Sequence, residues 1–364
     1  MFAVKFPVST MKKSFFSTAS LLAIVLMLML TACGGGTQAA SSTTSSGSNA
    51  QQYDLAIRPG SGLTVSLFAS GTSAYFAPDA VVVDGSHVFI GYQNVTAKDC
   101  TDTNSSTVVE YKLDGSVVKT FSVPGHNDGL RVDPSTHLLW ATSCEDGNPK
   151  LVTIDPSSGT ITPYTFPKTP HGGGYDDVYF LNGTAFIVAS NPTLDKNGNN
   201  VYPALDKITL SNGKAALTPV LMGNASATDT IAKSQVTLNE VDPDSLTVDN
   251  QGDLVLVNQA GSELVYISNP GTPQQKVSRT PVGSQLDDTS WIPSTPGRLL
   301  VVDGLKNKTF WIKGNFKPGT SYTETPDDSG IAGVFGHLDL TTGIIYPDII
   351  GFSHPTGMVF VPNS

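Results

Sequence analysis

The sequence predicts an all-β protein: a six-bladed β-propeller of four-stranded antiparallel blades, its ring closed by pairing strands from the two ends of the chain. Three observations predict it. An acidic residue, alternating apolar positions, a polar turn and a second apolar run recur from Asp79 (DAVVVDGSHVFIGY), Asp128 (DGLRVDPSTHLLWAT), Asp177 (DVYFLNGTAFIVAS), Asp244 (DSLTVDNQGDLVLV) and Asp288 (DTSWIPSTPGRLLVV), and end in a shorter copy at Thr356 (TGMVFVPNS). The copies recur about every 45–50 residues, with two longer intervals, which is the length of a blade of four short strands. Glycine (35) and proline (24) punctuate the chain at turn dipeptides, and no stretch carries a helical period.

The N-terminal residues stand apart from this pattern. Lys12 and Lys13 precede the apolar run Leu21 to Leu30, and Leu30-Thr31-Ala32-Cys33 follows. A basic start, a short apolar core and a small-residue site describe a secretory signal over residues 1–32, with Met11 the more natural start. The run is shorter than the about 20 apolar residues a membrane span needs. The tetrapeptide LTAC resembles the bacterial lipobox, and that resemblance implies a lipidated Cys33 as the first mature residue. Residues 33–52 are rich in Gly, Ser and Thr, unable to bury an apolar core, and read as a flexible tether. The propeller domain is expected over residues 53–364, in the bacterial cell envelope, held to the membrane through the lipid anchor only.

In the first blade the strands read AVVVDG, HVFIGYQ, TVVEYKLDG and SVVKTFSV; in the second GLRVDP, HLLWATS, KLVTIDP and ITPYTFP. In the third, residues 192–203 interrupt the step between the second and third strands. In the fifth, residues 304–330 read as an insertion hairpin carrying Phe310 and Trp311, either a binding element or an exposed decoration. The last copy lacks partners, which residues 63–69 (LTVSLFA) can supply, so that the two ends share a sheet and no edge stays free.

A net charge of −10 argues against a nucleic-acid partner. Of the three cysteines, Cys33 is assigned to the lipid. Cys100 and Cys144 then remain in equivalent loops of neighbouring blades, where an oxidising compartment would pair them.

The copies align Asp79, Asp128, Asp177, Asp244 and Asp288 at one register at the mouth of the central channel. Carboxylates gathered there either hold protons or share a cation, and an oxygen-only set suits Ca²⁺ or Mg²⁺. Alternatively each Asp caps backbone N–H groups of its own loop. His126, His171 and His354 precede the innermost strands and are candidate general bases. No G-x-S-x-G or HExxH motif is present.

The phrase Asp128-Gly129-Leu130-x-Val132-Asp133 resembles the repeat of NHL-type propellers and of the senescence-marker-protein/gluconolactonase family. That resemblance implies a propeller fold and a catalytic divalent metal in the channel. It would make Asp128 a metal ligand and include channel asparagines, for which Asn127 is available. The readings left open are binding of a small molecule, glycan or protein partner at the channel face, metal-dependent lactone or ester hydrolysis, and a structural role in envelope assembly.

Overall fold

The computed structural model describes residues 56–326 and 333–363, and every regular element among them is a strand. The chain divides at Gln51/Gln52; the signal, Cys33 and the tether lie outside the described residues.

After β1 (Arg58–Pro59) and β2 (Leu63–Ser70) the chain forms an antiparallel meander of β3 (Pro78–Asp84), β4 (His87–Tyr92), β5 (Ser105–Lys112) and β6 (Val117–Pro124). The second meander is β7 (Asn127–Val132), β8 (Leu139–Ser143), β9 (Lys150–Ile154) and β10 (Ile161–Thr165). A parallel bridge from Thr165 to Lys214 joins it to the third: β11 (Tyr175–Leu181), β12 (Thr184–Ala189), β13 (Pro203–Ser211) and β14 (Lys214–Met222). The hairpin of β15 (Ser226–Asp229) and β16 (Gln235–Thr237) lies on the outer edge of the fourth: β17 (Pro243–Val248), β18 (Leu254–Asn258), β19 (Glu263–Ser268) and β20 (Lys276–Pro281).

The last two sheets are interleaved in sequence. β21 (Thr289–Trp291) pairs with β24 (Ser321–Thr325), which continues through β25 (Gly333–Asp339) and β26 (Ile344–Phe352) to β1. The intervening hairpin, β22 (Gly297–Asp303) and β23 (Lys308–Gly314), leaves that sheet and sits between β27 (Pro355–Pro362) and β2. This corrects two expectations. The N- and C-terminal strands share a sheet but do not pair, because the hairpin separates them. Phe310 and Trp311 do not project from an insertion: both lie on β23 and are buried, Phe310 against Phe352 and Trp311 against Phe68.

The strands β3, β7, β11, β17, β21 and β27 lie side by side in that order, and β27 returns to β3. Sheets set radially about such innermost strands make a β-propeller. The alternating strands bury apolar side chains on both faces, so the core is distributed between neighbouring sheets. Phe89 and Val108 pack on Leu139 and Val152, while Val88 and Ile90 pack on Leu300 and Trp311 of the β27 sheet. Each such fully buried side chain contributes about 1.5–3 kcal/mol.

Candidate functional site at the channel mouth

A β-bulge recurs where the innermost strands enter the channel. The ladder register shifts between Pro78 and Val81, Asn127 and Leu130, Tyr175 and Val178, and Pro243 and Leu246, so two residues of the inner strand oppose one of its partner. Asp287 and Asp288 face Glu324 in the same way, through the amide of Asp287 and the carbonyl of Asp288. A bulge re-aims side chains locally, and here it separates two registers.

The first bulge position holds Asp79, Asp128, Asp176, Asp244 and Asp287. All five line one cavity of about 240 Å³ together with Thr356, Gln93, Lys98, Glu145, Gln259 and His354. The second position holds Ala80, Gly129, Asp177, Ser245 and Asp288, and it reaches toward the neighbouring inner strand. Asp177 Oδ2 accepts the amide of Leu246 at 3.0 Å, and Asp288 Oδ2 accepts that of Met358 at 2.9 Å. At Gly129 a Cβ would stand 2.6 Å from the carbonyl oxygen of Asp176 and 2.8 Å from Cα of Asp177, so only glycine admits the adjacent backbone.

The sequence register therefore needs correction in two of its copies. Asp177 and Asp288 sit on the cavity wall, but their carboxylates staple inner strands together; Asp176 and Asp287 take the positions equivalent to Asp79, Asp128 and Asp244. Backbone amides are thus bonded by Asp177 and Asp288, on the neighbouring inner strand as well as beside Asp177 itself, while the carboxylates at the other register line the cavity.

Oxygens of Glu145, Asp176 and Asp244 lie within 4.8 Å of one another, the one such acidic group among the described residues. Asp128 Oδ1 accepts from Gln93 Nε2 at 3.2 Å, whereas its buried Oδ2 has no hydrogen-bond partner. An orphaned carboxylate oxygen beside three converging ones fits a hard divalent cation such as Ca²⁺ or Mg²⁺, which takes oxygen donors. Against this acid concentration stand Lys98 and Arg131. Lys98 Nζ contacts Glu145 Oε1 at 2.5 Å; desolvation opposes its charge, yet Glu145 and Asp128 hold its pKa above the usual lysine value.

Desolvation is the first cause of raised carboxyl pKa values at the mouth, and mutual repulsion the second. Asp79 is pushed up to about 7 by burial, with Thr356 and Lys98 pulling the other way. Asp288 rises to about 6 through burial, moderated by Arg131. Burial and neighbouring carboxylates raise Asp128, Asp176, Asp244 and Asp287 well above the carboxylate range. Burial and mutual repulsion thus favour the protonated form of these carboxyls where no cation offsets them.

The candidate histidines separate. His354 lines the cavity. His126 is buried behind Asp128 and depressed in pKa, first by desolvation. Thr96 Oγ1 donates to the Gln93 carbonyl, so it accepts from His126 Nδ1 at 2.7 Å. That tautomer aims the Nε2 lone pair at Asp128 Oδ1, 3.3 Å away and out of line for a hydrogen bond. His171 is fully buried, bonded to the Gly174 carbonyl and edge-on to Tyr175; it is a packing residue that does not line the cavity.

Cys100 and Cys144 form a disulfide with Cα atoms 5.5 Å apart. Such bonds persist in oxidising, extracytoplasmic compartments. The bond also builds the site, because Lys98 precedes Cys100 by two residues and Glu145 follows Cys144 directly. Glu145 is the ligand candidate that the repeat could not reveal, since it sits in a loop specific to one blade.

No family model and no curated protein sequence matches the chain. Its structure is similar to a streptogramin B lyase (13% identity, 71% of this chain and 100% of that one, TM-score 0.45). It is also similar to a periplasmic gluconolactonase of Pseudomonas aeruginosa (13%, 78% and 73%, 0.44) and to a protein of unknown function from Bacteroides caccae (10%, 79% and 87%, 0.44).

Proposed function

We propose that this chain is a six-bladed, lipid-anchored extracytoplasmic propeller. Its channel mouth holds Ca²⁺ or Mg²⁺ and, through that ion, binds a small, oxygen-rich polar molecule. The observation that carries the reading is the convergence of Glu145, Asp176 and Asp244 in a cavity where Asp128 leaves a buried oxygen unpartnered. These four residues would hold the ion, which when bound supplies Lewis-acid polarisation of a ligand oxygen. Gln93 and Gln259 offer neutral hydrogen-bonding groups to hydroxyls, and Lys98, once Glu145 turns to the ion, offers a cation to an acidic group. The recessed cavity limits the ligand to something the size of a monosaccharide or smaller, since about 240 Å³ is below the usual range of about 300–1,000 Å³ for drug-sized ligands.

A second reading, hydrolysis of a small ester or lactone, is favoured by one specific observation: His354 lines the cavity beside the acidic group. A neutral imidazole there could take the proton of an attacking water. The propeller would reach the membrane through Cys33 and the tether 33–52.

Equilibrium dialysis of chelator-stripped protein tests the first reading. One Ca²⁺ or Mg²⁺ per chain, lost on combined Asp176→Asn and Asp244→Asn substitution, supports it; no stoichiometric ion overturns it. Turnover of a lactone and ester panel that needs both the ion and His354 would select the second reading. Cys33→Ser tests the anchor: membrane partitioning unchanged by that substitution would refute it.

A further inference from the structure

At the opposite end of β3 from the channel mouth, a cleft of about 310 Å³ opens between the first two meanders. Two histidine–carboxylate pairs line it. His87 Nδ1 contacts Glu110 Oε1 at 2.6 Å, and His137 Nδ1 lies 2.9 Å from Asp84 Oδ2. Glu110 is buried on β5, with its carboxylate facing the cleft. The third acidic residue, Asp155, spends its oxygens on Ser157 and Ser158 and is no donor.

His137 is there at a backbone cost. It ends the turn Asp133-Pro-Ser-Thr-His137, in which its amide donates to the Asp133 carbonyl at 2.8 Å and the Asp133 side chain binds Ser135 and Thr136. The same turn recurs, bond for bond, at Asp155–Gly159 and Asp339–Gly343, where the closing residue is glycine with φ +79° and +71°. At the third occurrence the closing residue is His137 with φ 57°, in the left-handed region where a side chain is disfavoured. A strained imidazole aimed at an adjacent sheet, where two sister turns use glycine, points to a task for that imidazole.

We propose that this cleft is a second metal site, for a cation that prefers imidazole, with Zn²⁺ as the type. His87 and His137 supply Nε2, and Glu110 and Asp84 either orient the rings from behind or complete the coordination. The donors are not gathered within 4.8 Å as they stand. His137 is about two-thirds exposed, so rotation of its side chain brings it onto a shared ion. The hydrogen bond of His137 Nδ1 with Asp84 leaves its Nε2 the free ring nitrogen, the arrangement found behind metal-ligating histidines, whereas His87 Nδ1 lies beside Glu110 out of line for a hydrogen bond.

The test uses the folded chain carrying Asp176→Asn and Asp244→Asn, which silences the channel mouth, so that the result is independent of the function proposed above. The metal-free protein is titrated with Zn²⁺ above pH 7 by calorimetry and thermal melting. The expected result is one Zn²⁺ per chain and a raised melting temperature, with His87→Ala and His137→Gly each weakening binding at least tenfold. Because glycine suits the turn, His137→Gly should melt no lower than its parent in chelator while losing the Zn²⁺ response. Absence of stoichiometric binding in this background, or binding that neither substitution weakens, would overturn the proposal.

Discussion

Arg131 on β7 grips Asp177 on β11 from two sides, Nη2 to Oδ2 at 2.5 Å and Nε to Oδ1 at 3.2 Å. The same Nη2 donates to the Leu246 carbonyl of β17 at 2.7 Å, while Asp177 accepts the Leu246 amide. One ion pair thus ties three consecutive inner strands at the channel wall. Removing one partner of a buried pair leaves the other charge uncompensated, so Arg131→Ala should cost about 3–5 kcal/mol. Arg131→Lys keeps the charge but not the fork and should recover only part of that. Denaturant unfolding measures both; a loss under about 1 kcal/mol for the alanine variant would contradict the staple.

Divalent cations should stabilise the chain by mass action. At a hundredfold excess over the dissociation constant the expected gain is about 2.7 kcal/mol. Asp176→Asn with Asp244→Asn should remove the gain and leave the fold intact. Melting curves with and without Ca²⁺ or Mg²⁺ decide, and equal shifts in parent and variant would place the ion elsewhere.

Stability without cations should fall as pH rises. Asp79 has its folded pKa raised from 3.8 to about 7, and Asp288 from 3.8 to about 6. A raised folded value means the native state binds more protons than the unfolded chain, so the contribution is fully present below about pH 4 and lost as pH climbs through 6 and 7. Melting temperatures in chelator should therefore decline from pH 5 to pH 8, and a saturating divalent ion should flatten that decline. A rising profile over this window would contradict the repulsive ring.

Reduction should loosen the site before it unfolds the protein. The disulfide spans 44 residues, and its loss is expected to cost about 2–4 kcal/mol. Since the bridge fixes the loops bearing Lys98 and Glu145, paired Cys100→Ser and Cys144→Ser substitutions should also weaken Ca²⁺ binding. Calorimetric titration of a variant still folded by circular dichroism checks this; unchanged affinity would show the loops are held by other means.

Gly129→Ala should push β7 away from β11, since the added methyl meets the Asp176 carbonyl and Thr142 Oγ1. Overpacking of this kind costs about 1–3 kcal/mol. Asp176 follows the displaced backbone, so cation affinity should drop with stability. Thermal melting at pH 7 gives the first quantity and dialysis the second.

The propeller class was legible because each inner strand repeats one phrase, and duplication preserves alternation even where residues differ. The one-residue error at Asp177 and Asp288 arose at Asp-Asp pairs. A bulge sets two inner-strand residues against one partner, and nothing in a run of two aspartates says which faces the cavity. Phe310 and Trp311 were misplaced because consecutive strands usually pair, whereas here the chain leaves one sheet after β21 and completes it only at β24. Glu145 carries no repeat signal at all; a disulfide, not a strand, fixes its place.

The β22–β23 hairpin makes the last two sheets kinetically inseparable. The first meander can assemble from strands adjacent in sequence, but the sheet that closes the circle joins β2 to β23 across a separation of 249 residues, as from Thr64 to Lys313. Such a pairing loses loop entropy long before it returns contacts, and it slows folding. The chain should thus pass through an open arc with two unfinished sheets and exposed strand edges, a species prone to aggregate. The channel mouth, drawn from inner strands of every sheet, comes into being only at the final closure.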